Sequence, residues 1–257
     1  MTYALITGAS KGIGKAIATE LARRQFNVLL LARSGDQLRQ LADELRQTYG
    51  VQADYLAVDL SAGDAAQRVF DWCQTRNYVV QTLVNNAGYG LSGPFETYSI
   101  AEHENMMAVN MTALMQLCRL FLPILRQQPK AYILNVASSA AYQAVPGLSL
   151  YAATKAFVLT FSRGLHQELR KTSVSVTAVS PGSTDTEFAA RARVGEKALK
   201  AAEKINMTPG AVAKIAVDSM LAGKIEVITG VVNKLGAFAA WLLPKGLVER
   251  TAGKIYE

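Results

Sequence analysis

The chain has 257 residues, half of them apolar and 18% charged, and 27 Lys and Arg outnumber 20 Asp and Glu for a net charge of +7. That length and balance suit one globular, soluble α/β domain with a sizeable core. The cations are spread along the chain, with no basic run and no basic patch interleaved with aromatics, which excludes nucleic-acid binding as a main function.

The first segment, Tyr3 to Thr7, is a short β-like apolar run leading into Gly8, Gly12 and Gly14. Lys15 to Arg24 then has amphipathic helical period. Strand, glycine turn and helix form the context of a dinucleotide site. Glycines let the backbone approach a pyrophosphate closely, and the helix N-terminus offers free N–H groups and a positive dipole. Asn27 to Ala32 is apolar throughout after its first residue, as a central parallel strand requires. An NAD site ends this strand on a carboxylate that accepts from the ribose hydroxyls. Here Ala32 fills that slot and Arg33 follows, a guanidinium suited to a 2′-phosphate. Lys11 adds a second cation and Ser10 a hydroxyl. The expected cofactor is therefore NADP(H), although Arg33 also suits a solvated loop.

Gly35 to Tyr49 reads as a helix with one polar face, Val51 to Val58 as a third strand ending on Asp59 and Leu60, and Asp64 to Thr75 as a helix. Val79 to Val84 is a fourth strand, followed by Asn85, Asn86, Ala87 and Gly88. Amide side chains at a strand end can tie neighbouring strands together. Tyr89 to Ser99 is a loop. Ile100 to Gln127 reads as one long helix with Asn110, a poor helix former, in its middle. Ala131 to Val136 is a fifth strand ending near Ser138 and Ser139. Tyr142 to Leu148 is a loop, Leu150 to Thr172 a helix, and Val174 to Val179 a sixth strand before Pro181 and Gly182. Glu187 to Asn206 is helix-prone and basic, with Arg191, Arg193, Lys197, Lys200 and Lys204. Thr208 and Pro209 open a helix to about Leu221, and Ile225 to Thr229 is a last strand. The strand–helix rhythm implies right-handed crossovers and a single doubly wound parallel sheet, a Rossmann fold with helices on both faces, spanning 1–257.

The chemistry concentrates in Ser149 to Lys155, SLYAATK. Tyr151 and Lys155 lie four apart, on one helix face. A free phenol titrates near a pH of about 10, and an ammonium beside it favours the phenolate. The pair offers a proton donor and acceptor usable near neutrality. Ser138, at a strand end, can hydrogen-bond a carbonyl oxygen that the tyrosine protonates. Taken alone, the YxxxK pattern suits a solvated helix face.

TGASKGIG near the N-terminus, NNAG in the middle, the tyrosine motif and SPG after it resemble, in this order and spacing, the short-chain dehydrogenase/reductase family over nearly the whole chain. The GxxxGxG spacing of Gly8, Gly12 and Gly14 is that family's. The resemblance implies that Gly8, Ser10, Lys11, Gly12, Ile13, Gly14, Arg33, Asp59, Leu60, Asn86, Ala87, Gly88, Tyr151, Lys155, Pro181, Gly182, Thr184 and Thr186 bind the cofactor. Asp59 would meet the adenine edge, and Asn86 to Gly88 the ribose and the floor of the site. Thr184 and Thr186 would hold the nicotinamide amide and phosphate. It implies a catalytic set of Asn110, Ser138, Tyr151 and Lys155, with Asn110 orienting a water that joins the lysine to solvent. Ser139 replaces Ser138 if the register slips. It also implies a substrate lid over 187–222, whose basic part could receive an anionic carrier, though an exposed charged helix explains it as well.

The C-terminal extension, 234–257, is apolar from Leu235 to Leu243 and resembles the carbonyl and ketoacyl reductase branch. It could cover an apolar pocket, form a subunit contact or lie on a membrane surface. The run Ala237 to Leu243 is far short of a membrane span, and the start lacks the pattern of a signal peptide. Cys73 and Cys118, far apart, are expected as buried thiols in a reducing cytoplasm. His103 and His166 form no ligand cluster, so no metal is expected. The reading is an NADPH-dependent reductase of an apolar ketone or aldehyde, a homodimer or homotetramer. A fold that senses NADP without catalysis and a membrane-surface lipid reductase are the rivals.

Overall fold

In a computed structural model the chain is described for residues 1–184, 186, 188–195, 199 and 206–256. The strands are β1 (Thr2–Thr7), β2 (Asn27–Ala32), β3 (Ala53–Ala57), β4 (Val79–Asn85), β5 (Ala131–Val136), β6 (Val174–Ser180) and β7 (Glu226–Ile228). They form one seven-stranded sheet in the order β3-β2-β1-β4-β5-β6-β7, and every pairing is parallel. The order reverses between β1 and β4, and a crevice opens at such a point beyond the strand C-termini.

Between the strands run α1 (Gly12–Arg23), α2 (Gly35–Tyr49), α3 (Ala65–Thr75), α4 (Ile100–Met107), α5 (Ala113–Arg126) and α6 (Ser149–Leu169). Because successive strand residues face opposite sides, the apolar strands feed two cores. Leu5, Leu29, Leu31, Leu83 and Ile133 pack with Val69, Leu117, Phe121 and Val158 of α3, α5 and α6. Ala4, Ile6, Val28, Leu30 and Leu134 pack with Ile17 of α1, Leu41 of α2 and Val217 of a later helix.

The helix expected over 100–127 is not uniform. A capping box opens it, in which Ser99 accepts from the Glu102 backbone and Glu102 accepts from Ser99. A π-turn at Ala108–Thr112 then separates α4 from α5. Asn110 sits in that turn, where the widened backbone re-aims side chains. By length and composition Ile100–Arg126 could cross a membrane. Its Leu117, Cys118, Phe121 and Leu125 are instead buried in the core against the sheet.

The later chain holds α7 (Phe188–Arg191), α8 (Pro209–Leu221), α9 (Val231–Leu242) and α10 (Lys245–Tyr256). The region expected as a lid, 187–222, therefore divides. Thr208 caps α8 by accepting from the Ala211 N–H, and Val212, Ala213, Ala216 and Val217 are wholly buried, with α8 packed against α1. That part is core because its apolar residues repeat at helical spacing. Phe188 to Arg191 lies beside the site, whereas 187, 196–198 and 200–205, with Lys197, Lys200 and Lys204, fall outside the described residues. The apolar tail is a helix pair that starts at Val231, earlier than its composition suggests.

Candidate active site

The glycine turn is built by hydrogen bonds that its sequence neighbours do not supply. Gly8 and Gly12 hold φ of +66° and +52°, the left-handed region open to glycine. A Cβ on Gly14 would overlap the Gly8 carbonyl oxygen and the Asn86 amide. Asn86 donates from Nδ2 to the carbonyls of Thr7 (2.9 Å) and Gly8 (3.2 Å). The Thr7 hydroxyl accepts the backbone N–H groups of Asn86 and Ala87 at 2.9 and 3.0 Å. The β1 and β4 ends are thus locked together, and α1 begins without a side-chain cap. Its first-turn residues Gly12, Ile13 and Gly14 line the cleft. A positive helix end with free donors beside close-packed glycine fits a pyrophosphate.

Tyr151 and Lys155 come from α6, which packs on β5 and β6. They are nearly closed from solvent, at 7% and 4% exposure, so what they touch sets their chemistry. The Lys155 Nζ donates to the Val136 carbonyl at 2.8 Å and lies 5.9 Å from the Tyr151 ring centre. Burial pulls the Lys155 ammonium down to about 8. The Ser138 Oγ accepts from the Ala140 N–H at 3.1 Å, which spends a lone pair and leaves its proton to donate elsewhere.

Asn110 is buried at 1% exposure. Its Oδ1 accepts the Tyr89 N–H at 3.0 Å. Its Nδ2 donates to the Tyr89 carbonyl (2.9 Å) and the Thr154 hydroxyl (3.0 Å). A Cβ on Gly88 would stand 3.1 Å from Asn110 Oδ1 and 3.2 Å from Lys155 Nζ. The glycine therefore keeps amide and ammonium on one side of a narrow space.

One continuous cavity of about 1020 Å³ joins these parts. Gly8, Ser10, Lys11, Gly12, Ile13, Gly14, Arg33, Asp59, Leu60, Asn86, Ala87, Gly88, Ser138, Ser139, Tyr151, Lys155, Pro181, Gly182, Thr184 and Thr186 all border it. Asn110 does not; it stands behind Gly88. Gly12 faces Thr186, whose Cγ2 is 3.0 Å from where a glycine Cβ would be, so the turn after β6 closes over the glycine turn. Asp59 also accepts from the Ser61 backbone and hydroxyl at 3.0 and 2.9 Å. Those bonds hold its carboxyl below the usual range.

Several residues at the cavity stand outside the motifs, though Arg191 falls in the expected basic lid. Arg191, though exposed, places its guanidinium 4.2 Å from the Tyr89 ring centre, and partial desolvation with Arg33 nearby lowers its affinity for the proton. Asn233 donates to the Thr229 carbonyl at 2.8 Å and rests on Gly182, where any Cβ would overlap it. The Tyr142 hydroxyl bonds Ser180 at 3.1 Å and the Glu226 carboxylate. Arg163 holds that carboxylate from the far side at 2.6 Å. None belongs to a local motif; each arrives from a distant element. Elsewhere, Asn85 donates to Asn135 at 2.9 Å, an amide tie between β4 and β5. Cys73 and Cys118 are buried free thiols.

The sheet reverses at a glycine turn, and one cavity joins that turn to a buried tyrosine–lysine pair. The sequence pattern of the short chain dehydrogenases matches residues 2–197, and the chain belongs to that family. It is 38% identical over 183 residues to the very-long-chain 3-oxoacyl-CoA reductase-A of Danio rerio. That match covers 70% of this chain but only 57% of the relative. A 7β-hydroxysteroid dehydrogenase structure superposes with TM-score 0.88 at 26% identity, covering 98% of this chain and 96% of that one. A short-chain dehydrogenase of Sphingobium yanoikuyae in complex with NADPH gives TM-score 0.83 at 31% identity, over 94% and 93%.

Proposed function

We propose that this protein is an NADPH-dependent reductase of bulky, apolar ketones, and in reverse an alcohol dehydrogenase. The observation that carries the reading is the buried Tyr151–Lys155 pair on the cavity that reaches the glycine turn. NADPH, when bound, would supply the hydride, and the chain would supply orientation and the proton. The glycine turn, the α1 N-terminus, Thr184 and Thr186 would hold the dinucleotide, and Lys155 its ribose. Arg33 and Lys11 meet a 2′-phosphate, since no carboxylate ends β2 to prefer a free ribose hydroxyl.

The Tyr151 hydroxyl gives its proton to the carbonyl oxygen as negative charge develops there. The Ser138 hydroxyl donates a hydrogen bond to the same oxygen. The Lys155 ammonium, mostly charged at neutral pH with its value near 8, stabilises the phenolate left behind. Asn110 Oδ1 and Lys155 Nζ both face the space beside Gly88, and a water bound there would carry the proton that restores Tyr151. Asn110 is a positioning residue, fixed by Tyr89 and Thr154.

Part of the remaining wall is apolar. Val145, Leu148, Phe188, Val232, Ala237 and Leu243 line it, and they match the large apolar skeletons for which two relatives are named, a very-long-chain acyl thioester and a hydroxysteroid. The test is cofactor oxidation with a panel of acyl, steroidal and aromatic ketones, run with NADPH and with NADH. Turnover of bulky apolar ketones with NADPH supports the reading. A protein that binds NADPH and reduces none of the panel is a sensor instead.

A further inference from the structure

Helix α9 is apolar on both sides. Val232, Asn233, Gly236, Ala237 and Ala240 line the cavity. The opposite stripe carries Val231, Leu235, Phe238, Trp241 and Leu242, with Trp241 78%, Leu235 62% and Phe238 57% exposed. No residue of α9 is buried, and its principal packing partners are the Ser139–Tyr142 turn and α10. A helix apolar all round is stable where both sides are covered. The cavity side covers only one.

We propose that this outer stripe lies on the surface of an anionic phospholipid bilayer. Twelve residues are too short to cross a bilayer, so α9 lies in the interface plane. Charge selects this occupant. The C-terminal extension, 234–257, has four basic residues, Lys234, Lys245, Arg250 and Lys254, against two acidic ones, Glu249 and Glu257. Lys234, Lys245 and Arg250 are exposed; Lys234 lies on the outer side of α9 itself, between Phe238 and Trp241 at helical spacing, where its long stem lets the ammonium reach the headgroups. A second copy packed face to face would set these cations against each other. Anionic headgroups neutralise them, and the +7 chain adds long-range attraction. The Phe238 and Trp241 rings, 6.0 Å apart, are the side chains that settle at the headgroup boundary. Docking does not depend on the reductase reading. Only its consequence does, that the same surface steadies one wall of the substrate cavity.

The sequence has two tryptophans, so Trp72→Phe leaves Trp241 as the only indole. Its emission is titrated with vesicles of phosphatidylcholine alone and of phosphatidylcholine with phosphatidylglycerol, and the unaltered chain is floated with both. The expected result is a blue shift and flotation with the anionic vesicles, reversed by high salt. Lys234→Glu/Lys245→Glu should weaken that binding by about tenfold or more. Failure of the unaltered chain to float with anionic vesicles overturns the proposal. So does a blue shift that grows with protein concentration without lipid, which means a second copy covers the stripe.

Discussion

Lys155 is buried for function at a cost to stability, and that cost can be measured. Burial pulls its pKa from 10.5 to about 8. Between those values the unfolded chain holds a proton that the folded protein has released, so stability rises with pH across this window. Below about pH 8 both states are charged, and the folded protein bears the whole desolvation penalty, about 3 kcal/mol at pH 7. Near pH 9.5 about 1 kcal/mol of it remains. Lys155→Met keeps the apolar stem and removes the charge. It also strips the Val136 carbonyl of its donor, a loss of about 1 kcal/mol that does not vary with pH. Urea denaturation of both proteins, followed by far-UV circular dichroism at the two pH values, cancels every titration they share. The Met variant should gain about 2 kcal/mol relative to its parent on going from about pH 9.5 to pH 7, while losing turnover. A stability difference that stays flat with pH would falsify the claim that burial depresses this lysine.

Two other substitutions probe the two ends of the cavity. Arg33→Ala should raise the KM for NADPH by roughly 10- to 100-fold, the worth of a charge-assisted pair, and leave NADH kinetics unchanged; an equal rise for both cofactors contradicts a 2′-phosphate contact. Gly88→Ala puts a methyl group 3.1 Å from Asn110 Oδ1 and 3.2 Å from Lys155 Nζ, where the proposed relay passes. Its kcat should fall by about 10- to 100-fold, with NADPH affinity, read by fluorescence titration, within about threefold. Wild-type kcat in that variant removes the relay.

Much of the fold was legible because burial on two sides leaves a plain mark. Asn27–Ala32 could be read as a central strand, and Gly35–Tyr49 as a helix, at the bounds observed. The glycine turn and the tyrosine–lysine spacing were legible because a close backbone approach and a shared helix face each demand residues at fixed intervals. The π-turn around Asn110 was not, since one extra residue in a helix hardly disturbs its periodicity. Asn110 is explained by Tyr89 and Thr154, 21 and 44 positions away, and no local pattern records such partners. Asn233 reaches the cavity by the same kind of long-range placement. The tail hid its two helices because α9 has no polar face to reveal a period.

The most direct measurement concerns the phenol itself. Tyr151→Phe keeps the ring against Phe188, whose centre lies 5.3 Å away, and deletes only the hydroxyl. Titrated with NADPH and then mixed with a ketone that the parent reduces, this variant should bind the cofactor with affinity within about threefold of the parent, since a lost hydroxyl contact is worth about 1 kcal/mol or less. Its turnover should fall by about a thousandfold or more, the scale of a missing general acid. Turnover within about tenfold of the parent would mean that another group delivers the proton.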